Sequence, residues 1–161
     1  MYIDFNDYVQ IYQDGCDFQS FNRLSMEACQ RLDYHTTGLD GVKKLRAAFP
    51  TDEDDARMVK YCACKLVHIL GQIEAAESMA AQASGYEETE NGIRGKVITS
   101  ISAGNESISY AAGGGKTATM IDKALADKSV QDKLITDTIR ECLSGVRDAN
   151  GINLLFMGRA Y

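Results

Sequence analysis

Apolar residues recur at helical intervals along most of this chain, and glycines mark the interruptions. Tyr8, Ile11 and Tyr12 fall on one side of a short segment over 4–13, with Asp4 or Asn6 as N-cap and Gly15 as the stop. Phe18, Phe21, Leu24, Ala28 and Leu32 recur at spacings of three and four, which predicts a second helix capped by Asp17 and ended by Gly38. Val42, Leu45 and Ala48 predict a short third helix from about Asp40 to Phe49. The longest element starts at Thr51, with Asp54 in a capping-box-like place and acids at the positive end of the helix dipole, and runs to about Ser84. Within it Val59, Cys62, Leu66, Ile69, Ile73, Ala76, Ala80 and Ala83 form a narrow heptad seam whose later half is alanine. Alanine permits close approach but buries little area, so the seam needs a partner inside the subunit or in another copy.

The period changes near the middle. Gly85 and the polar run Glu87-Glu88-Thr89-Glu90-Asn91-Gly92 read as a loop, and a hairpin over about 96–110 follows. With Gly104-Asn105 as a two-residue turn, Ile101 lies opposite Ile108 and Thr99 opposite Tyr110. Val97, Thr99, Ile101, Ile108 and Tyr110 then share one face, while Ser100, Ser102, Ser107 and Ser109 share the other. A lone hairpin is marginal in water, so its apolar face must rest on helices or on a neighbouring subunit. Ala111-Ala112-Gly113-Gly114-Gly115 is a flexible link, and a helical pattern resumes over Thr117 to Ala126. Val130, Leu134, Ile135, Ile139, Cys142 and Leu143 define a last helix, ended by Gly145 and a turn at Asp148-Ala149-Asn150-Gly151. Leu154, Leu155, Phe156 and Met157 then form an apolar run near the chain end. The expected fold is mainly α: a helical bundle (1–151) with one long central helix, an inserted β-hairpin, and an extended C-terminal tail (152–161).

Composition narrows the function classes. The 161 residues fit one domain, and a single proline, Pro50, favours long uninterrupted helices. Residues 51–90 hold nine acids against three bases, and the remainder is balanced, so this segment carries the whole net charge of −6. Such a surface does not attract a polyanion. No apolar run of about 18 residues and no signal-peptide pattern is present, so a soluble, unexported protein with no membrane partner is expected. Five cysteines, an odd number set mostly in helical patterns, read as free thiols of a reducing compartment.

The candidate chemistry is thin. Gly113-Gly114-Gly115-Lys116-Thr117 ends like a phosphate-binding loop, but Tyr110 stands where that loop needs its first glycine. Cys62, Cys64 and His68 suggest a metal cluster, yet residues two apart on a helix point to opposite sides, and Cys64 with His68 supplies only two ligands. His35 and His68 are the only histidines, and neither lies beside a nucleophile signature. Lys43, Lys44 and Arg46 could meet phosphates in a helix-turn-helix, but three bases without a reading helix are more simply a solvated face. The expectation is a protein without catalysis, cofactor or metal.

The tyrosine-rich opening (Tyr2, Tyr8, Tyr12), the long alanine-containing helix, the segment Ser100–Ala111, and Leu143-Ser144-Gly145 followed by Leu154-Leu155-Phe156-Met157-Gly158 come in a telling order. That order resembles the head-tail connector (head-completion, or adaptor) proteins of long-tailed bacteriophages. The resemblance implies a structural virion protein that forms a homo-oligomeric ring, a dodecamer, between the portal and the tail. Such a ring extends the DNA channel and completes the head, and genomic DNA passes through without specific binding. Its partners would be the portal protein and a tail-terminator, stopper or other tail protein. Its location would be the head-tail interface of the virion after synthesis in the host cytoplasm. On this reading Leu154, Leu155, Phe156, Met157 and Arg159 bind the portal, and Ile101, Ile108 and Tyr110 form a subunit contact. The alternative is a small helical regulatory or DNA-binding dimer, which leaves the hairpin and the apolar tail without a role.

Overall fold

Aspartates set most of the helix boundaries. The computed structural model describes residues 1–13, 15–89, 92–97, 100–103, 106–109 and 127–156, with side chains described through residue 78 and again from 127. Helix α1 (Phe5–Ile11) begins with a capping box in which Asp4 accepts from the Asp7 amide at 2.8 Å and Asp7 accepts from the Asp4 amide at 3.1 Å. Asp17 caps α2 (Phe18–His35) through the Ser20 amide at 2.9 Å. Helix α3 (Lys44–Ala47) is one turn. Helix α4 (Glu53–Ala83) is about 46 Å long at 1.5 Å per residue, and its first amides bond Asp52 rather than Thr51, at 3.0 and 3.1 Å. Asp127 caps α5 (Lys128–Leu143).

The described body is mainly helical, and α4 is its axis. Helices α2 and α5 pack along α4, with α1 across the start of α2. Val59, Cys62, Ala63, Cys64, Leu66, Val67, Leu70 and Ile73 are all buried. Those positions cover more than half of the helix circumference, so α4 is wrapped rather than striped. The narrow seam is therefore corrected: Leu66 and Ile73 lie in the core, but Ile69 is only partly buried. From Glu74 to Ser78 the helix loses cover, with only Ala76 partly buried. Ala80 and Ala83 have side chains outside the described set.

Aromatic packing fixes α1. Phe5 meets Phe18 and Phe21 edge-on, each at 5.4 Å between centroids, and Tyr8 packs on Phe21 at 5.5 Å. Gly15 follows because a Cβ there would fall 2.0 Å from the Tyr8 hydroxyl. Tyr2 stacks on Phe49 and donates to Asp33, whose carboxylate also accepts from Arg46 at 2.6 Å. Asp33 is 1% exposed, and these two donors compensate its burial.

The segment between α4 and α5 departs from the expected single hairpin. Strand β1 (Ser84–Thr89) pairs antiparallel with β2 (Gly92–Val97), so the polar run read as a loop is largely paired backbone, and Val97 stands opposite Ser84. Strand β3 (Ser100–Ala103) pairs with β4 (Glu106–Ser109), with Ile101 opposite Ile108. Thr99, Gly104-Asn105 and Tyr110 lie outside the described residues, as do the glycine link, Lys116-Thr117 and the helix expected over 117–126. The side chains of the apolar face expected over 96–110 lie outside the described set.

Candidate docking surface at the C-terminal end

Two similar arches close one end of the bundle. After α2, Thr37 bridges Lys43; the Gly38 amide bonds Val42 O at 2.9 Å, Gly41 bonds Gly38 O at 2.9 Å, and Lys44 bonds Thr36 O at 3.4 Å. After α5, Arg147 bridges Asn153; Asp148 bonds Ile152 O at 2.8 Å, Gly151 bonds Asp148 O at 2.9 Å, and Leu154 bonds Val146 O at 3.0 Å. The two sets correspond position for position. Gly41 and Gly151 occupy the same place in each turn with φ of 79° and 76°, where a side chain would be strained. The second arch also meets the end of α3, the Ala149 amide bonding Ala48 O at 3.2 Å.

The first arch corrects the third helix. Asp40 Oδ1 accepts from the Val42 amide at 3.0 Å and Gly41 turns left-handed, so residues 40–43 are a turn and only Lys44–Ala47 are helical. A one-turn α3 is no reading helix. Lys44 is buried and Arg46 is engaged with Asp33, so among the described residues Lys43 alone of the three bases is neither buried nor ion-paired.

The second arch changes the expected tail. Leu154 is 1% exposed and belongs to the core, and Leu155 packs against it. The side chain of Leu154, expected to bind the portal, is covered by its own subunit. The start of the expected tail thus packs on the body through Leu154 and Leu155. Phe156 is 53% exposed. Its carbonyl accepts from Lys44 Nζ, and that ammonium lies 5.3 Å from the centroid of its ring. Met157 and Arg159 lie outside the described residues, as do Tyr110 and the side chains of Ile101 and Ile108.

Large apolar side chains are also exposed at the end of α2 and on the first arch, and a cleft lies next to Leu155. Tyr34 is 78% exposed, Leu39 74% and Val42 46%. A cleft of about 620 Å³ is lined by Tyr34, His35, Thr37, Gly38, Arg140 and Leu155. Beyond Tyr34 and His35 a larger cleft of about 940 Å³ runs between α2 and α5 past Met26, Gln30 and Ile135. Arg31 at its edge is held by Glu27 at 2.9 Å and by Asp132 at 3.5 Å. Among the described side chains, no group of three or more His, Cys, Asp or Glu residues is placed to hold a metal ion.

The thiols and histidines sit apart. Cys62 faces Cys142 of α5, and that contact together with burial pushes the Cys62 thiol up. Cys64 faces α1, near Asp7 and Tyr8, and burial pushes its thiol up to about 12. The two cysteines thus point to opposite sides of α4. Burial lowers His68, which stacks on Tyr12 at 4.2 Å, and lowers His35, to which Arg140 and Arg31 add. Burial therefore favours the neutral form of both histidines in the folded chain. Unfolded histidine titrates near 6.5, so the unfolded state takes up more protons below that pH. Their contribution to stability is fully present above pH 6.5 and is lost as pH falls through the lower folded values. The melting temperature should decline between pH 7 and 5.5, and replacing both histidines by glutamine should flatten that decline; an unchanged slope in the double variant would refute it.

In comparisons with protein-family models, curated proteins and solved structures, nothing matches this chain. Sequence reasoning missed Lys44 and the paired arches. The available signal was the repeat of Asp40-Gly41-Val42 after one helix and Asn150-Gly151-Ile152 after another.

Proposed function

We propose that this chain is a structural virion subunit of the head-tail connector kind, acting in a dodecameric ring between the portal and the tail. The observation that carries this reading is Phe156, an exposed aromatic side chain anchored through Leu154 and Leu155 to the core just before the chain end. An aromatic residue held rigidly on a surface is the usual anchor of an interface. Phe156, with Met157 and Arg159 beyond it, would dock in an apolar cleft of the portal. The exposed side chains of Tyr34, Leu39 and Val42 would extend the contact area. The inserted hairpin over 96–110 supplies the subunit contact through Ile101, Ile108 and Tyr110. The opposite face of the ring meets the tail-terminator or stopper protein. The acidic charge of residues 51–90 suits a channel that passes DNA without gripping it, since phosphate contacts dominate affinity for DNA. This function resides in interfaces, with no catalytic step.

The test is to mix the purified protein with portal-bearing capsids and examine the particles by class-averaged electron microscopy. A ring of added density beneath the portal is expected, and its absence would sink the reading. The Ile101→Lys, Ile108→Lys double variant should abolish that ring while its helical circular dichroism stays near wild type. Normal rings from the double variant would remove the hairpin from the contact.

A further inference from the structure

Lys44 is a buried cation that the packing of its own arch does not require. Its position corresponds to Leu154 in the second arch: the Lys44 amide bonds Thr36 O as the Leu154 amide bonds Val146 O, and both side chains are buried, at 5% and 1% exposed. A leucine therefore satisfies this backbone setting. Burying an ammonium is costly unless it is well partnered, so an apolar residue would be the default here. Among the described residues, the partners of the Lys44 ammonium are both on Phe156: Nζ donates to its carbonyl oxygen and faces its ring. The stem passes Gly38, where an added Cβ would sit 3.4 Å from Lys44 Cε and 2.6 Å from Asp40 Oδ1.

We propose that Lys44 is a latch that fixes the direction in which the chain leaves the body after Leu155 and holds the Phe156 ring ready for a partner. Its value to docking rests on the connector reading above; its action on the chain end does not. The carbonyl contact sets the backbone at the last described residue, and the cation-facing ring restricts the side chain. Holding both before the encounter lowers the ordering cost of association.

The test uses Lys44→Leu, the residue found at the corresponding position, and Lys44→Met as an unbranched second variant. Hydrogen exchange is followed on the peptide spanning residues 155–161, together with the melting temperature and attachment to portal-bearing capsids. The expected result is a melting temperature at or above wild type with exchange in that peptide faster by about tenfold or more, the scale of one charge-assisted hydrogen bond. Attachment should weaken in parallel. Unchanged exchange in either folded variant would overturn the latch whatever happens to attachment. Faster exchange with undiminished attachment would support the latch and overturn the docking role of Phe156. A loss of cooperative melting in both variants would also overturn the proposal, because Lys44 would then be part of the core.

Discussion

Replacing Leu66 by aspartate should abolish cooperative unfolding. Leu66 is 0% exposed at the middle of α4, where α2 and α5 pack on the same helix. Removing its side chain as Leu66→Ala should cost about 2–5 kcal/mol, a large part of the roughly 5–15 kcal/mol that holds a domain folded. Aspartate adds the cost of a charge in that buried place, which should carry the loss past what holds the domain folded. The same change at Ile69, which is only partly buried, should lower the melting temperature without removing the transition. At the exposed Gln72 it should fall within about 0.5 kcal/mol of wild type. The three variants, melted side by side by circular dichroism, grade burial around α4. A Leu66→Asp protein that melts like wild type would mean that α4 is not the axis of the bundle.

What the sequence made legible follows from how local each cause is. Asp4, Asp17 and the stripes of α2 and α5 are read within one or two turns, and the structure places caps and buried faces there. The wrapping of α4 was harder to read, because Ala63 and Cys64 are small and fall outside a heptad stripe, yet both are buried. Residues 40–43 carry a helix-compatible spacing in Val42 and Leu45, and the left-handed Gly41 overrides it. Ser84–Thr89 is polar and lacks alternation, so nothing local marks it as a strand; its pairing depends on Gly92–Val97. Lys44 was legible only as a base on a solvated face. Its burial depends on Phe156, far along the chain, and no local rule reaches that distance.

The chain end gives the sharpest test of function, and the position of the cut decides what the test means. Deleting 152–161 removes Leu154 from the core and breaks the Arg147–Asn153 bridge, so it should cost at least about 2–5 kcal/mol and confuse folding with docking. Deleting only 157–161 leaves Leu154, Leu155 and Phe156 in place and should leave the melting temperature unchanged. Adding Phe156→Ala to the shorter deletion removes the exposed aromatic and the ring facing Lys44 while sparing the core. A single aromatic anchor carries about 2 kcal/mol or more at an interface, roughly thirtyfold in affinity. A ring multiplies the effect, since every copy loses its anchor and the attachment is held by many equivalent contacts. The combined variant should therefore fold as a stable monomer and fail to co-sediment with portal-bearing capsids, while the deletion alone weakens attachment less. If the combined variant still attaches and completes heads, the portal contact lies elsewhere. Tyr34 at the end of α2 and Leu39 and Val42 on the first arch would then be the next to substitute, because they are large exposed apolar side chains that these changes leave intact.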